Sequence, residues 1–278
     1  MPRKKVLLTV TTYPLPSRSY DELICTAGVL EDGTWIRIYP VPLSFLIGKR
    51  KSGELKSFKY NWFEINLKKR TDDFRPESYS PENYDFRDLK LLGKLDTKSN
   101  WYLRKKYCLS NVYTSINSLI VDSKAPKNTS LATFKPTEII DFQVEEDERD
   151  WKPVWKEIRN QLDLFANEGN SDLSKMIPKV PYKFYYKFRD SEGKEPRLMI
   201  EDWEIGALYW KCLRSTNGDE KVALEKVRNK YYDDLAKTKD IYLFLGTTSE
   251  GHRRRWTNPF VIIGVFYPKI ETQFDLFN

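Results

Sequence analysis

The sharpest alternation in the chain runs from residue 182 to residue 189. Tyr182, Phe184, Tyr186 and Phe188 fall on one side, and Lys183, Tyr185, Lys187 and Arg189 on the other. That period of two predicts a strand with a core face and a basic face. The turn residues Ser191-Glu192-Gly193 then predict a hairpin whose second strand spans 197–200. Near the N-terminus, residues 5–12 predict an opening strand. Residues 22–30 and 34–39 predict two more, joined around Glu31-Asp32-Gly33 as a hairpin. In the second of these, Trp35, Arg37 and Tyr39 share one face while Ile36 and Ile38 share the other. Residues 59–68 predict a further strand, with Trp62, Glu64 and Asn66 opposing Phe63, Ile65 and Leu67.

A different spacing takes over near residue 201. Glu201-Asp202-Trp203-Glu204 opens a helix in which Ile205, Leu208, Tyr209 and Cys212 recur at helical intervals. A second helix over 220–237 gathers Leu224, Val227, Tyr231 and Leu235 on one face. Apolar runs at 240–247 and 259–267 predict buried strands. The middle of the chain is less regular: 89–107 is partly helical, 121–133 reads as a loop, and 141–150 is an acidic stretch carrying no function. Residues 153–166 predict a helix, and 167–174 a polar connector between halves. The class expected is α+β, with a mixed sheet or small β-barrel unit at the N-terminus. Helices and a further strand group make up the C-terminal part. A single domain over 1–278 is expected, with a possible subdivision into a basic β-rich part (1–166) and a β-α-α-β part (175–278).

Composition narrows the chemistry. With 40% hydrophobic and 31% charged residues the chain is an ordinary globular protein. No apolar run reaches the roughly 18 residues a membrane span needs, and the short basic N-terminus lacks a signal segment. A cytoplasmic protein without a membrane partner is expected. The three cysteines lie far apart without zinc-site spacing, and His252 is the single histidine. Histidine-pair metal sites are thereby excluded, no metal or cofactor is expected, and acid–base chemistry would fall to carboxylates.

The charge is unevenly placed. The first seventy residues hold thirteen Lys and Arg against six Asp and Glu, which equals the net charge of +7 for the whole chain. Aromatic residues are interleaved there, and positive charge with flat rings outlines a nucleic-acid face. DNA is favoured over RNA as the partner. The loop His252-Arg253-Arg254-Arg255-Trp256, with Asn258 just beyond, offers guanidinium forks and a stacking ring. Lys183 and Lys187 could lie along a phosphate backbone, with Tyr13, Ser17, Arg37, Tyr39 and Arg75 as further contacts. Glu77, in the Pro-stiffened turn Arg75-Pro76-Glu77-Ser78, and Asp202 are the candidate catalytic carboxylates, although Asp202 also suits a helix N-cap. Alternatives are a non-catalytic base-reading module and a metal-dependent nuclease.

Five patterns carry a resemblance: Thr11-Thr12-Tyr13-Pro14-Leu15-Pro16-Ser17, Trp35-Ile36-Arg37-Ile38-Tyr39-Pro40, Arg75-Pro76-Glu77-Ser78, Ile200-Glu201-Asp202-Trp203-Glu204 and Asn258-Pro259-Phe260. On these the chain resembles a scattered family of bacterial proteins from phage-defence neighbourhoods. It is also similar, more distantly, to anti-phage DNA glycosylases that excise hypermodified bases. The resemblance implies an antiviral hydrolase that flips a base and breaks its N-glycosidic bond with one carboxylate. The Gly-Gln-Asp-Pro-Tyr and His-Pro-Ser-Pro motifs of uracil-type glycosylases do not occur in this sequence.

Overall fold

A computed structural model describes residues 3–13, 15–16, 22–42, 48–49, 51–53, 57, 59–154 and 178–271. The N-terminal part is a closed mixed barrel. Its five staves are β1 (Arg3–Thr11), β3 (Glu22–Val29), β4 (Trp35–Pro42), β6 (Ser78–Pro81) and β5 (Asn61–Lys69), and β5 returns to pair with β1. All of these pairings are antiparallel except β4 with β6. A short β2 (Leu15–Pro16) adds to β3, and β7 (Lys90–Lys94) adds to β5. Alternation along the staves fills the barrel with Val6, Leu8, Ile36, Ile38, Phe63, Ile65 and Leu67. The hairpin joining β3 to β4 turns at Gly33, whose φ of +81° a side chain would strain.

After helix α1 (Lys98–Cys108), the chain builds two further sheets. One has the order β10 (Glu138–Glu146), β11 (Tyr182–Arg189), β12 (Arg197–Met199). The other runs β14 (Phe260–Phe266), β13 (Tyr242–Thr247), β9 (Leu131–Phe134), β8 (Val112–Tyr113). Helices α2 (Ile116–Asp122), α3 (Trp203–Ser215) and α4 (Glu220–Arg228) accompany them; α4 continues as a π-helical stretch, Asn229–Ala236. A one-turn helix, α5 (Ser249–Arg253), follows β13. Phe184, Tyr186 and Phe188 point into this core together with Tyr209, Val227 and Tyr231, as the alternation and the helical spacing require. The fold is α+β.

A third apolar cluster joins the two parts. Leu7, Val10, Val29 and Trp62 on the outside of the barrel pack against Leu131, Phe244, Ile263 and Phe266. Much of the outer barrel face is therefore covered, which a strand pattern alone does not disclose.

Three sequence expectations change. Residues 121–133 are not a loop throughout, because α2 runs to Asp122 and β9 begins at Leu131. The acidic stretch beginning at residue 141 is largely strand, since β10 pairs along β11 and sets Glu145 opposite Lys183 and Glu138 opposite Arg189. The partly helical segment 89–107 opens with a strand, β7. The connector at 167–174, and all but the first two residues of the helix expected over 153–166, lie outside the described residues.

Candidate functional site

The residues singled out from the sequence come to rest in four separate places. Arg37, Arg75, Glu77 and His252 do converge, but inside the seam between barrel and C-terminal part. Arg37 is only 3% exposed. Its Nη1 donates to Ser130 Oγ at 2.8 Å and to Ser78 Oγ at 3.3 Å, and its Nη2 donates to the Ser130 carbonyl. Glu77 accepts from the same serine, from its backbone N–H at 2.9 Å and from its hydroxyl at 2.7 Å. Arg75 grips Asp73 and donates to the Thr247 carbonyl at 3.0 Å. His252 Nε2 donates to the Ser123 carbonyl at 2.6 Å, leaving Nδ1 to accept from the Thr247 hydroxyl at 3.1 Å. Each of these groups has its hydrogen-bonding capacity turned inward. In this structure Arg37, Arg75, Glu77 and His252 hold two layers together.

Lys183 and Lys187 are half-buried, and each has an acid beside it: Asp147 at 3.1 Å and Glu195 at 2.8 Å. The basic strand face is thus an ion-pair ladder, not an open cationic track. In the loop after α5, Arg254 pairs with Glu250, while Arg253 and Arg255 are exposed and Trp256 is 49% exposed. Asn258 accepts from the Phe260 N–H and shapes the entry to β14. Tyr39 is half-buried beneath the Arg70 guanidinium, 5.3 Å from the ring centroid. Ser17 lies outside the described residues.

Asp202 is the N-cap of α3, accepting from the Glu204 N–H, and is 1% exposed. Both of its oxygens receive Lys59 Nζ, at 3.0 and 2.9 Å, and the same ammonium lies 2.9 Å from Glu204 Oε2. Burial pushes the Asp202 carboxyl up to about 6 against the pull of Lys59. Burial alone would favour neutral Lys59, but the two carboxylates hold its pKa above the ordinary lysine value.

Lys59, held by Asp202, lines a cleft of about 610 Å3 between barrel and α3. The spacing of Glu204, Leu208 and Lys211 places them on the cleft side of the helix, while Ile205, Tyr209 and Cys212 face the core. Opposite stand Tyr60, Lys94, Trp101 and Arg104, with Trp203 and Tyr267 completing the aromatic walls. The Arg104 guanidinium is fixed by two hydrogen bonds to the Leu95 carbonyl and lies 4.0 Å from the Tyr60 centroid and 4.9 Å from that of Trp101. Tyr60 and Trp101 both sit on left-handed backbone, at φ of 65° and 63°. Strained non-glycine residues gathered at one cavity mark a site whose ring positions the fold enforces. Tyr13 supports the wall from behind. Its ring is 5.8 Å from that of Trp203, and its hydroxyl accepts from Trp210 Nε1 and donates to the Pro178 carbonyl.

Four rings and four cations thus line one opening. Against them stand Glu204 in the wall and Asp202 beneath it, leaving two positive charges in surplus. Lys94 donates to Ser57 Oγ, and Lys211 has no partner among the described residues. Sequence reasoning passed over Lys94, Trp101, Arg104, Lys211 and Tyr267. The available signal was the spacing of Trp101 with Arg104 and of Glu204 with Lys211. Among the described residues, no three His, Cys, Asp or Glu side chains come together as a metal-ligand set. No described helix is long and apolar enough to cross a membrane.

Residues 112–278 match the family model described as a domain of unknown function (DUF8757). The chain belongs to the DUF8757 family. Residues 2–110 match a second model, likewise a domain of unknown function (DUF8758), so the DUF8757 region begins where the barrel and α1 end. The cleft draws its walls from both matched regions. No curated protein matches the chain. Among solved structures, a murine DNA-binding protein bound with double-stranded DNA aligns over 98% of this chain and 98% of its own. The identity is 9% and the TM-score 0.31, too low for the fold of that protein, or its partner, to inform the DUF8757 chain.

Proposed function

We propose that this protein binds nucleic acid, with DNA the first candidate, and that the cleft between barrel and α3 receives one nucleotide. The observation that carries this reading is the convergence of Tyr60, Trp101, Trp203 and Tyr267 with Lys59, Lys94, Arg104 and Lys211 around about 610 Å3. That volume lies within the range of small-ligand sites. Ring stacking contributes about 1–3 kcal/mol per base and tolerates any base. The two exposed lysines, Lys94 and Lys211, stand at the opening, where a phosphate would sit.

Binding of fluorescently labelled single-stranded and duplex oligonucleotides at low salt tests the reading. The expected result is binding that weakens steeply with salt and quenches tryptophan emission. Lys211→Glu, at an exposed position, and Trp203→Ala should each lower affinity by about tenfold. Variants that fold normally and bind as tightly as the parent would overturn it.

A catalytic version of the same site is a glycosylase hydrolysing the N-glycosidic bond of a modified base. It is favoured by one feature: Glu204 is a carboxylate within the cleft wall, whereas Asp202 is buried and Glu77 lies at the seam, bound to Ser130. Appearance of abasic sites in modified duplex DNA, lost in Glu204→Gln, would establish it; binding without abasic sites would leave a reader of bases.

A further inference from the structure

We infer that the cleft prefers guanine, and that Glu204 is the residue that selects it. The inference rests on the nucleotide reading above and adds the identity of the base. The nitrogen groups lining the cavity are donors: the ammonium groups of Lys59, Lys94 and Lys211, the Arg104 guanidinium, and the indole N–H groups of Trp101 and Trp203; the hydroxyls of Thr11, Ser57, Thr97, Tyr60 and Tyr267 can donate or accept. Glu204 is the one carboxylate among the described lining residues. Its side chain is 46% exposed, and Lys59 holds Oε2 at 2.9 Å. Oε1 has no partner among the described residues. A carboxylate tethered through Oε2, with Oε1 unpartnered among the described residues, presents a double acceptor to whatever enters.

Base chemistry then discriminates. Guanine carries two adjacent N–H donors on its pairing edge, N1–H and the 2-amino group, and both can be satisfied at once by a carboxylate. Adenine and cytosine set a donor beside a ring-nitrogen acceptor, so one carboxylate oxygen would face a lone pair. Thymine and uracil offer a single ring N–H between two carbonyls. Charge-assisted bonds to a carboxylate are about twice as strong as neutral ones, so the difference between two bonds and one is large.

The helix sets the rest of the ligand. Lys211 follows Glu204 by seven residues on the same stripe of α3, about 10 Å further along the axis. That separation suits a base edge at Glu204 and a 5′-phosphate at Lys211, with the rings between them to stack on the base.

Titration of the intact protein with GMP, IMP, AMP, CMP and UMP, followed by tryptophan emission, tests the inference. GMP should bind about tenfold or more tighter than AMP, CMP or UMP, with IMP, which lacks the 2-amino group, in between. Glu204→Gln should remove the guanine preference while retaining binding, because the amide offers one acceptor and one donor; an unchanged circular dichroism melt confirms that it folds. Equal affinities for all five, or a ranking that Glu204→Gln leaves intact, would overturn the guanine inference and leave the nucleotide reading standing. Absence of binding by every nucleotide would overturn both.

Discussion

Replacing Arg37 with methionine should be among the most damaging single changes in this protein, although the residue touches no ligand. Methionine retains most of the aliphatic stem, so little cavity forms and the loss reports the guanidinium. That group spends three hydrogen bonds on Ser78 and Ser130 and lies 3% exposed at the seam. Its removal leaves the Ser130 carbonyl without that donor and takes one positive charge from the neighbourhood of Glu77, which is bound to the same serine. Breaking a buried charge network by removing one partner costs about 3–5 kcal/mol. Because Arg37 and Glu77 are joined through Ser130, Glu77→Gln in the Arg37→Met background should cost less than it does alone, with a coupling of about 1–3 kcal/mol. Urea unfolding of the two single variants and the double variant measures both quantities. A loss below about 1 kcal/mol for Arg37→Met, or strict additivity, would show that the seam is not an interdependent network.

Two further outcomes follow from the buried groups. Burial, reinforced by the Arg75 charge and opposed by the bond to Ser123, holds His252 below its ordinary value of 6.5. The fold therefore prefers the neutral ring, and the stability it contributes is present above that value and lost as pH falls from it toward the depressed one. Urea midpoints of wild type should drop more than those of His252→Gln between about pH 7 and pH 5, and parallel curves would refute this. Asp202→Asn keeps the cap that accepts from Glu204 but removes the carboxylate gripping Lys59. Since Glu204 still faces that ammonium, the loss should sit near the low end of the roughly 3–5 kcal/mol range, read as a lowered denaturation midpoint. A variant as stable as the parent would mean that Lys59 depends on Glu204 alone.

Local pattern revealed the strands and helices well because period and spacing are properties of short segments. The alternation of β11, the hairpin at Gly33 and the capping role of Asp202 all reappear in the structure. Period two says which side chains share a face, but not what lies against it. Arg37 was correctly placed with Trp35 and Tyr39 on one side of β4; that side faces the seam instead of solvent. The acidic residues of β10 looked purposeless because their partners on β11 and β12 stand 51 and 52 positions away. The cleft was illegible for a similar reason. Its walls come from the approach to β5, from β7 and α1, from α3 and from the end of β14, and only the closure of the barrel against α3 brings them together.

The seam also bears on how such a chain can be divided. Arg37 and Glu77 belong to the barrel, while Ser130, which satisfies both, belongs to the following segment. A barrel severed near residue 110 would offer water Leu7, Val10, Val29 and Trp62 together with a guanidinium stripped of its Ser130 acceptors. Joining either half to an unrelated neighbour would thus leave an apolar face open and the Arg37 guanidinium short of partners.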